Sequence, residues 1–394
     1  MFTLRRDASH HKDQVYWSGV FAMTLCVFAL VASEFMPVSL LTPLSMDLGI
    51  SEGLAGQGIT MSGVFAVLTS LSISTLAGNL NRKILLLSIT TLMALSGIVM
   101  ALASSYLIYM AGRALIGVSI GGFWSLSAAT AICLVPQHQV PRALAIFNGG
   151  NALATVVAPP LGSYLGAVIG WRGACFCLVP VAVIASIWQW FSLPAMTVSK
   201  SDKRTGTVFR LFANPLVLVG LAACGLFFMG QFSLFTYLRP FLETITQVHI
   251  SVLSFILLTI GLMGFIGTLF IGTFLKSGFY PTLIAIPLLM AAIAVALIVF
   301  GRNVWVVVPL LGSWGCIATA APIGWWIWIT RTMPDDAEQG GGLMVAVVQL
   351  SIALGSTVGG LAFDHSGYQS TFIISGVLLV MAAFLVLLTS RKDI

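Results

Sequence analysis

The stretch that decides the fold is Trp17–Thr42, WSGVFAMTLCVFALVASEFMPVSLLT, an apolar run with a single carboxylate, Glu34. About 20 apolar residues cross a bilayer as a helix, so this run is long enough to span one. An ionisable side chain at membrane depth is costly and most often serves proton or substrate traffic. The alternative is a carboxylate that stays paired or protonated and serves helix packing. Glu34 is therefore our first candidate for a functional residue.

The composition indicates a polytopic membrane protein. Of 394 residues, 58% are hydrophobic and 8% are charged, whereas a soluble domain has about 25% charged residues. The net charge of +6 does not indicate nucleic-acid binding, because the basic residues are scattered singly and in pairs between apolar runs. The six cysteines lie inside apolar runs without metal-ligand spacing, which predicts packing roles and no metal site. The first run is too long for a signal peptide and predicts a retained helix.

Breaks between the apolar runs predict an all-α membrane protein with twelve transmembrane helices in two six-helix bundles. The longer polar segment 194–214 separates the spans six and six, which predicts an N-terminal bundle (1–193), a cytoplasmic linker (194–214) and a C-terminal bundle (215–394). The predicted spans are 17–42, 54–77, 84–104, 106–133, 143–168, 174–193, 215–240, 252–273, 281–300, 304–330, 340–362 and 371–390.

The distribution of lysine and arginine predicts the orientation. With the N-terminus in the cytoplasm, most of the 18 basic residues fall on the cytoplasmic side, and Arg172, Arg239 and Arg302 fall on the other. Cytoplasmic loops of membrane proteins carry the excess of these residues. We therefore expect both termini in the cytoplasm.

Glu34 and Arg113 are the charged residues that lie well inside predicted spans. Their spans run in opposite directions, and at 1.5 Å per residue both side chains start about 10–12 Å below the outer surface. Equal depth predicts a direct or water-bridged pair, and a carboxylate beside a cation is a plausible proton switch. The alternative for Arg113 is a structural residue tied to backbone carbonyls.

Neutral polar and aromatic side chains add a second layer of candidates. Amide donors and acceptors beside aromatic surfaces suit a planar, uncharged heterocycle or a drug-like molecule. The alternative for each aromatic residue is simple packing within a bundle. The candidate substrate-binding residues are Phe123, Trp124, Asn148, Asn151, Gln231, Tyr237, Trp314 and Gln349.

One sequence pattern is typical of an enzyme. Gly117–Gly121 has the G-x-S-x-G spacing of a serine-hydrolase nucleophile, which requires a strand-to-helix turn and a histidine base. Here the pattern lies inside a predicted helix, and the five histidines lie in predicted tails or loops. We therefore predict that the protein is not an enzyme and that these glycines form a helix contact.

Proline and glycine predict where helices bend or pack closely. Pro159 and Pro160 remove backbone hydrogen bonds within the fifth span, which favours either a moving helix or a static kink. Glycines spaced by four residues allow close backbone approach. These glycines are Gly162, Gly166, Gly170, Gly355 and Gly359.

Twelve spans split six and six resemble the major facilitator superfamily, and local motifs resemble its twelve-span drug:proton antiporter branch. Glu34–Pro37 resembles the acidic first-helix motif of this branch. Gly112-Arg113 resembles its fourth-helix motif, whose arginine is linked to proton transfer. Ala158–Gly162, with Ala158 in place of a glycine, resembles its fifth-helix antiporter motif. The resemblance implies that Glu34 and Arg113 couple protons, and that Pro159, Pro160 and Gly162 belong to a gating motif.

Further segments resemble the bacterial purine-ribonucleoside exporters of this branch. They are Gly121–Trp124, Gly230–Phe232, Trp328–Arg331 and Val345–Leu350. The resemblance implies efflux of neutral purine ribonucleosides such as inosine or guanosine across the bacterial inner membrane, by alternating access in exchange for protons. The alternatives are a multidrug or sugar exporter of the same branch and, more remotely, a non-transporting membrane receptor. We expect no cofactor beside the proton gradient, and a monomer whose partners are the substrate, protons and the lipid bilayer.

The loop between the second and third spans departs from the family pattern. The family has Gly-x-x-x-Asp-Arg, whereas Gly78–Arg82 is one residue shorter and has Asn81 in place of the aspartate. In the family this aspartate helps to latch the outward-open state. We expect Asn81 to cap a helix or accept a hydrogen bond with lower electrostatic strength. Gly78, Asn81 and Arg82 are the gating candidates of this loop.

Overall fold

The protein is described from a computed structural model that covers residues 16–76, 80–136, 139–196, 214–333 and 337–392. Within these ranges the regular elements are all helical, and a short 3-10 helix, Met36–Leu40, follows the first α-helix. The α-helices are α1 (Trp17–Phe35), α2 (Leu41–Leu48), α3 (Glu52–Leu76), α4 (Arg82–Ala101), α5 (Tyr106–Leu134), α6 (Val140–Phe176), α7 (Leu178–Ser192), α8 (Pro215–Phe235), α9 (Leu238–Thr244), α10 (Ile250–Ser277), α11 (Phe279–Phe300), α12 (Val304–Thr332) and α13 (Ala337–Lys392).

Ten helical runs of the described chain are long and apolar enough to cross a membrane. Two of them, Arg142–Ser192 with 51 residues and Leu343–Arg391 with 49, would be about 75 Å long as straight helices, more than twice the apolar thickness of a bilayer. They are kinked at Gly170 (φ 76°) and Gly367 (φ 75°), in the left-handed region that favours glycine. Each kinked run could therefore supply two spans, and the count of twelve stays a prediction.

The first predicted span, 17–42, is not one continuous α-helix. α1 ends at Phe35, and the buried 3-10 helix Met36–Leu40 follows it. Pro37 has no backbone N–H to donate to the carbonyl of Ser33, four residues earlier, so the α-helical hydrogen bonding is interrupted. The break leaves the backbone carbonyl of Ser33, next to Glu34, without a donor from its own helix.

A second break of the same kind lies between α8 and α9. Pro240 cannot donate to the carbonyl of Thr236, four residues earlier, and the α-helix is interrupted at Thr236 and Tyr237. The Thr236 hydroxyl shares a hydrogen bond of 3.0 Å with Ser356 Oγ on α13. The sequence prediction of one continuous seventh span, 215–240, misses this break.

Buried apolar side chains form two clusters in the described chain. One comes mainly from residues 16–196, here called the first half, and the other mainly from 214–392, the second half. Tyr237 of the second half packs in the first cluster, and Val38 and Ile59 of the first half pack in the second. The halves therefore interlock around the two helix breaks. The domain boundaries at 194 and 214 stay a prediction, because residues 197–213 lie outside the described ranges.

The predicted close approach of glycines to neighbouring helices is confirmed except at Gly170. At Gly170 nothing lies within 4 Å of an added Cβ, and the positive φ is the reason for glycine. A Cβ at Gly162 would lie 2.6 Å from Met36 Cγ, so α6 fits closely against the 3-10 helix. The other close contacts are Gly166 with Leu40, Gly355 with Met229 and Gly359 with Ser233.

Candidate functional site

Glu34 lies in the last turn of α1 and is 6% exposed. Its Oε1 accepts a hydrogen bond of 3.2 Å from Nε2 of Gln349 on α13. The structure thus joins the predicted proton-coupling carboxylate to one of the predicted substrate-binding amides. Because the two residues belong to different halves, their hydrogen bond bridges these halves.

Arg113 on α5 is fully buried, and uncharged acceptors bind its guanidinium. Among the described residues no ion pair joins it to Glu34, because it reaches the backbone carbonyl of Glu34, at 3.5 Å, rather than the carboxylate. The expected direct pair of the two side chains is therefore not formed. The other acceptors are the carbonyls of Ser33 (3.0 Å) and Gly58 (2.9 Å) and Oγ of Ser62 (2.8 Å).

Pro37 explains the position of Arg113. The proline leaves the Ser33 carbonyl without its helical donor, and Arg113 donates to it instead. A buried carbonyl without a partner costs about 1–3 kcal/mol. Arg113 thus holds the end of α1 against α3, while a neutral amide, rather than a cation, binds the Glu34 carboxylate. This arrangement leaves the carboxylate able to gain or lose a proton without breaking an ion pair.

Three predicted substrate residues carry a buried polar atom without a hydrogen-bond partner in the described chain. They are Oε1 of Gln231, Nε1 of Trp314 and Oε1 of Gln349. Most buried polar atoms in proteins are paired. Two acceptors and one donor among these candidates are therefore unpaired in the described structure.

The predicted substrate residues of the first half are placed differently. Phe123 is fully buried in the first cluster, where its ring meets Trp124 edge to face at 6.2 Å. Asn148 is exposed and its Nδ2 donates to Leu144 of its own helix at 3.0 Å, while Asn151 is half-buried. No hydrogen bond or ring contact of the described residues joins these four to Glu34. Phe123 is thus a core residue in this conformation.

Tyr237, also predicted to bind substrate, is fully buried as well. Its hydroxyl donates to the carbonyl of Ser356 at 2.8 Å and its ring stacks on Phe363 at 5.4 Å. An added Cβ at Gly56 on α3 or at Gly360 on α13 would overlap the hydroxyl oxygen. Tyr237 therefore fills a slot between the halves in this conformation, and its polar atom is already paired.

Further contacts join the halves on the same side of the molecule. Arg239 donates to the carbonyl of Ser39 and also pairs with Glu243 at 2.8 Å. The Ser39 carbonyl is free because Pro43, four residues later, has no N–H. We call the region of Tyr237, Arg239 and the contacts of Asp364 the closed end of the molecule.

Asp364 of the second half caps the first turn of α3 in the first half. Its Oδ1 accepts from the backbone N–H of Gly53 at 2.9 Å, and its Oδ2 accepts from Ser51 Oγ at 2.5 Å. A carboxylate at a helix N-terminus is favoured by the unpaired N–H groups and the helix dipole. Sequence analysis missed Asp364 and Arg239 because both fall near the ends of predicted spans. Pro43, which frees the Ser39 carbonyl, was the available signal for Arg239.

The loop candidates for gating are partly described. Asn81 caps α4, as expected, because its Oδ1 accepts from the backbone N–H of Lys83 at 3.0 Å. The same oxygen accepts from the N–H of Met196 at 3.0 Å, and the Arg82 N–H donates to the Met196 carbonyl at 2.9 Å. Asn81 thus fastens α4 to the segment that follows α7, within the first half. Gly78 lies outside the described residues.

The proline pair of α6 lies at a contact between halves. Pro160 leaves the carbonyl of Val156 without its helical donor, and Gly261 of α10 approaches the Val156 backbone, with an added Cβ at 2.7 Å from Val156 Cα. Pro159 is buried beside it. The gating role of this motif stays a prediction.

A larger residue at Gly56 should open the closed end. In Gly56→Val the new side chain would occupy the position of the Tyr237 hydroxyl, so the slot could not close. Spin labels at the exposed positions Met46 and His365, in a background without native cysteines, should give longer distances in double electron–electron resonance. Gly272→Val is the matched control, because an added Cβ there meets nothing within 4 Å. Unchanged distances in Gly56→Val would contradict the slot.

Comparison with known proteins identifies the fold and the family. Residues 23–356 match the family model of the Major Facilitator Superfamily. The chain belongs to this superfamily. Two solved transporter structures share the fold of this chain at low sequence identity. A bacterial homologue of the human lysosomal transporter Spinster, in an inward-facing and unoccupied conformation, is 16% identical with a TM-score of 0.74 over 97% of this chain and 98% of that one. A D-xylose–proton symporter is 15% identical with a TM-score of 0.78 over 95% and 97%.

Two similar proteins carry different descriptions. The transcription regulatory protein OpdE of Pseudomonas aeruginosa is 62% identical over 379 residues, covering 95% of this chain and 94% of its own. The purine ribonucleoside efflux pump NepI of Salmonella enteritidis is 38% identical over 370 residues, covering 94% and 93%. This protein is therefore a multi-pass membrane protein of a transporter superfamily.

Proposed function

We propose that the protein is a proton-coupled exporter of small neutral solutes, with purine ribonucleosides such as inosine and guanosine as its substrates. The observation that carries the proposal is the buried Glu34 carboxylate, hydrogen-bonded across the halves to Gln349 in a transporter fold. A carboxylate held by a neutral amide at membrane depth suits proton traffic. The efflux pump NepI, 38% identical over 94% of this chain, supports the substrate class.

The unpaired polar atoms support a nucleoside over a purely apolar solute. Oε1 of Gln231 and Oε1 of Gln349 can accept from ribose hydroxyls or a purine N–H, and Nε1 of Trp314 can donate to a ring nitrogen or carbonyl. The site offers no unpaired cation among the described residues around Glu34, which favours an uncharged solute. Multidrug and sugar exporters of the same branch are the nearest alternatives.

Proton entry supplies enough free energy for this exchange. A membrane potential of about 100 mV supplies about 2.3 kcal/mol for each proton that enters. This free energy can hold the outside concentration of a neutral solute roughly tens of times above the inside concentration. In this proposal the protein lies in the bacterial inner membrane as a monomer, with both termini in the cytoplasm. The closed end then faces outward. Its partners are the substrate, protons and the lipid bilayer, without nucleic acid or a cofactor.

The test is efflux from proteoliposomes under an imposed proton gradient. Radiolabelled inosine and guanosine should leave the vesicles faster with the gradient than without it, and a collapsing ionophore should remove the difference. Labelled sugar and a cationic drug serve as comparison substrates. Active sugar or drug efflux without inosine efflux would overturn the purine assignment and keep the exporter.

A second candidate function follows from the 62% identical protein named as a transcription regulatory protein. A non-transporting membrane receptor would bind a solute and alter transcription through other proteins. The two candidates separate in the proteoliposome assay, because a receptor would bind inosine without gradient-dependent flux. Deletion of the gene followed by transcript profiling, with rescue by wild type or by a transport-dead variant, would show whether an effect on transcription needs flux.

Replacing Trp314 by phenylalanine should weaken substrate binding. The change keeps most of the ring and removes the unpaired N–H, so we expect inosine affinity to fall by about tenfold, the value of one hydrogen bond of about 1.4 kcal/mol. Trp328→Phe is the matched control, because that ring also has an unpaired N–H but packs against Gly220. Equilibrium binding of labelled inosine measures both. Equal losses in the two variants would remove Trp314 from the site.

A further inference from the structure

The amide of Gln349 uses one of its two ends in the described structure. Nε2 donates to Oε1 of Glu34 at 3.2 Å, while Oε1 of the amide is buried without a partner. Both side chains are less than a tenth exposed. The side-chain oxygen of Gln349 is therefore a buried, unpaired acceptor next to a titratable carboxyl group.

The proton state of Glu34 decides whether that donor exists. An ionised carboxylate has acceptors alone, so it can use Nε2 of Gln349 and nothing else of the amide. A neutral carboxylic acid has one O–H as well. It can accept from Nε2 and donate to Oε1, which makes two antiparallel hydrogen bonds with the same amide and pairs the buried oxygen.

The described groups around Glu34 do not supply another donor to the amide oxygen. Among the described residues packed there, the charged group is Arg113 on α5, whose nitrogens are occupied by carbonyls and by Ser62 of α3. From α8, Phe232 stacks on Phe35 next to Glu34 at 5.8 Å. Among the described residues the Glu34 O–H is therefore the donor within reach of Oε1 of Gln349 once Glu34 is protonated, and a bound solute is the donor from outside the protein.

We propose that the side-chain carbonyl of Gln349 is the single acceptor for which the proton on Glu34 and the substrate compete. The inference rests on the proposed proton-coupled export. Proton binding converts the carboxylate into an acid whose O–H bonds to Oε1 of Gln349, and the solute loses that acceptor. Release of the proton restores the carboxylate and frees the oxygen for an N–H or O–H of the solute. Proton and substrate thus occupy the site in alternation, as antiport requires.

Infrared spectroscopy tests the acid–amide pair without any substrate. In a pH titration of the reconstituted protein, the carboxylic C=O band of Glu34 is the one that disappears in Glu34→Gln. In Gln349→Met this band should move to higher wavenumber, because the acid loses its hydrogen bonds to the amide. An unmoved band would overturn the pairing. Gln189→Met, which removes a buried amide bonded to Thr90 within the first half, is the control for general packing effects.

Binding of labelled inosine at a series of pH values tests the competition. In wild type the affinity should fall as the pH decreases, by up to about tenfold per unit for one competing proton. Gln349→Met should bind more weakly with no pH dependence, and so should Glu34→Gln, whose amide N–H can donate to Gln349 permanently. A wild-type slope retained in Gln349→Met would overturn the competition. Absence of inosine binding in wild type at every pH would overturn the purine assignment instead, while the infrared shift would still decide the pairing.

Discussion

Glu34→Gln is expected to abolish gradient-driven efflux of inosine from proteoliposomes. Glutamine has nearly the same shape as glutamate and can keep the hydrogen bond with Gln349, but it cannot take up or release a proton. The variant should therefore fold and insert as wild type does, with loss of coupling rather than of stability. Initial rates of labelled inosine efflux, with and without the imposed gradient, measure the effect.

The matched control for this variant is Glu52→Gln. Glu52 is a carboxylate in the first turn of α3, near the closed end. No hydrogen bond of the described residues joins it to Gln349. Its amide variant should keep gradient-driven efflux. Equal efflux in Glu34→Gln and wild type would remove Glu34 from the mechanism. Flux that persists in Glu34→Gln but no longer responds to the gradient would indicate a channel rather than an exporter.

Arg113→Met is expected to cause the largest loss of stability among single side-chain changes in the site. The guanidinium is fully buried and pairs the carbonyls of Ser33, Glu34 and Gly58. Methionine fills much of the volume but leaves these buried carbonyl acceptors without donors, at a cost of about 1–3 kcal/mol for each unpaired group. A large decrease in melting temperature in detergent would be the direct readout.

Two further variants show whether the loss of stability in Arg113→Met comes from removing the several N–H donors of the guanidinium. Arg113→Lys keeps the charge but cannot reach several acceptors at once, so its melting temperature should lie between those of wild type and Arg113→Met. Arg142→Met is the control, because Arg142 is exposed and lies over the Trp17 ring at 5.1 Å. A melting temperature of Arg113→Met equal to that of Arg142→Met would show that the backbone carbonyls do not depend on Arg113.

Much of the fold could be predicted from local sequence. Runs of apolar residues long enough for a bilayer predict the helices, since a membrane leaves a chain few other options. The capping role of Asn81 also follows from local chemistry, because its side chain bonds to a backbone N–H two residues later. The spacing of Gly355 and Gly359 likewise predicts a close approach of another helix, and the structure shows that this helix is α8.

The pairing of the site could not be predicted in the same way. Glu34 and Arg113 lie close together, yet the guanidinium donates to backbone carbonyls, among them the Ser33 carbonyl that Pro37 leaves without a helical donor. Positions within the predicted spans indicate which side chains start at the same depth in the membrane. The hydrogen-bond partner of a buried arginine depends instead on which backbone carbonyls lack a donor. Tyr237 shows a second limit. Its ring has the chemistry of a ligand contact, but Gly56 and Gly360 lie far from it in the chain, and the sequence alone does not place the slot that they form.

Asp364 has a consequence for kinetics. The cap on α3 is supplied by the opposite half, so in an alternating carrier it must break and form again in every turnover. The free energy of these hydrogen bonds then contributes to the barrier between the two orientations of the empty carrier. It does not contribute to the folding stability of either half. We expect a weakened cap to show first in the turnover rate, while the melting temperature of the protein changes little.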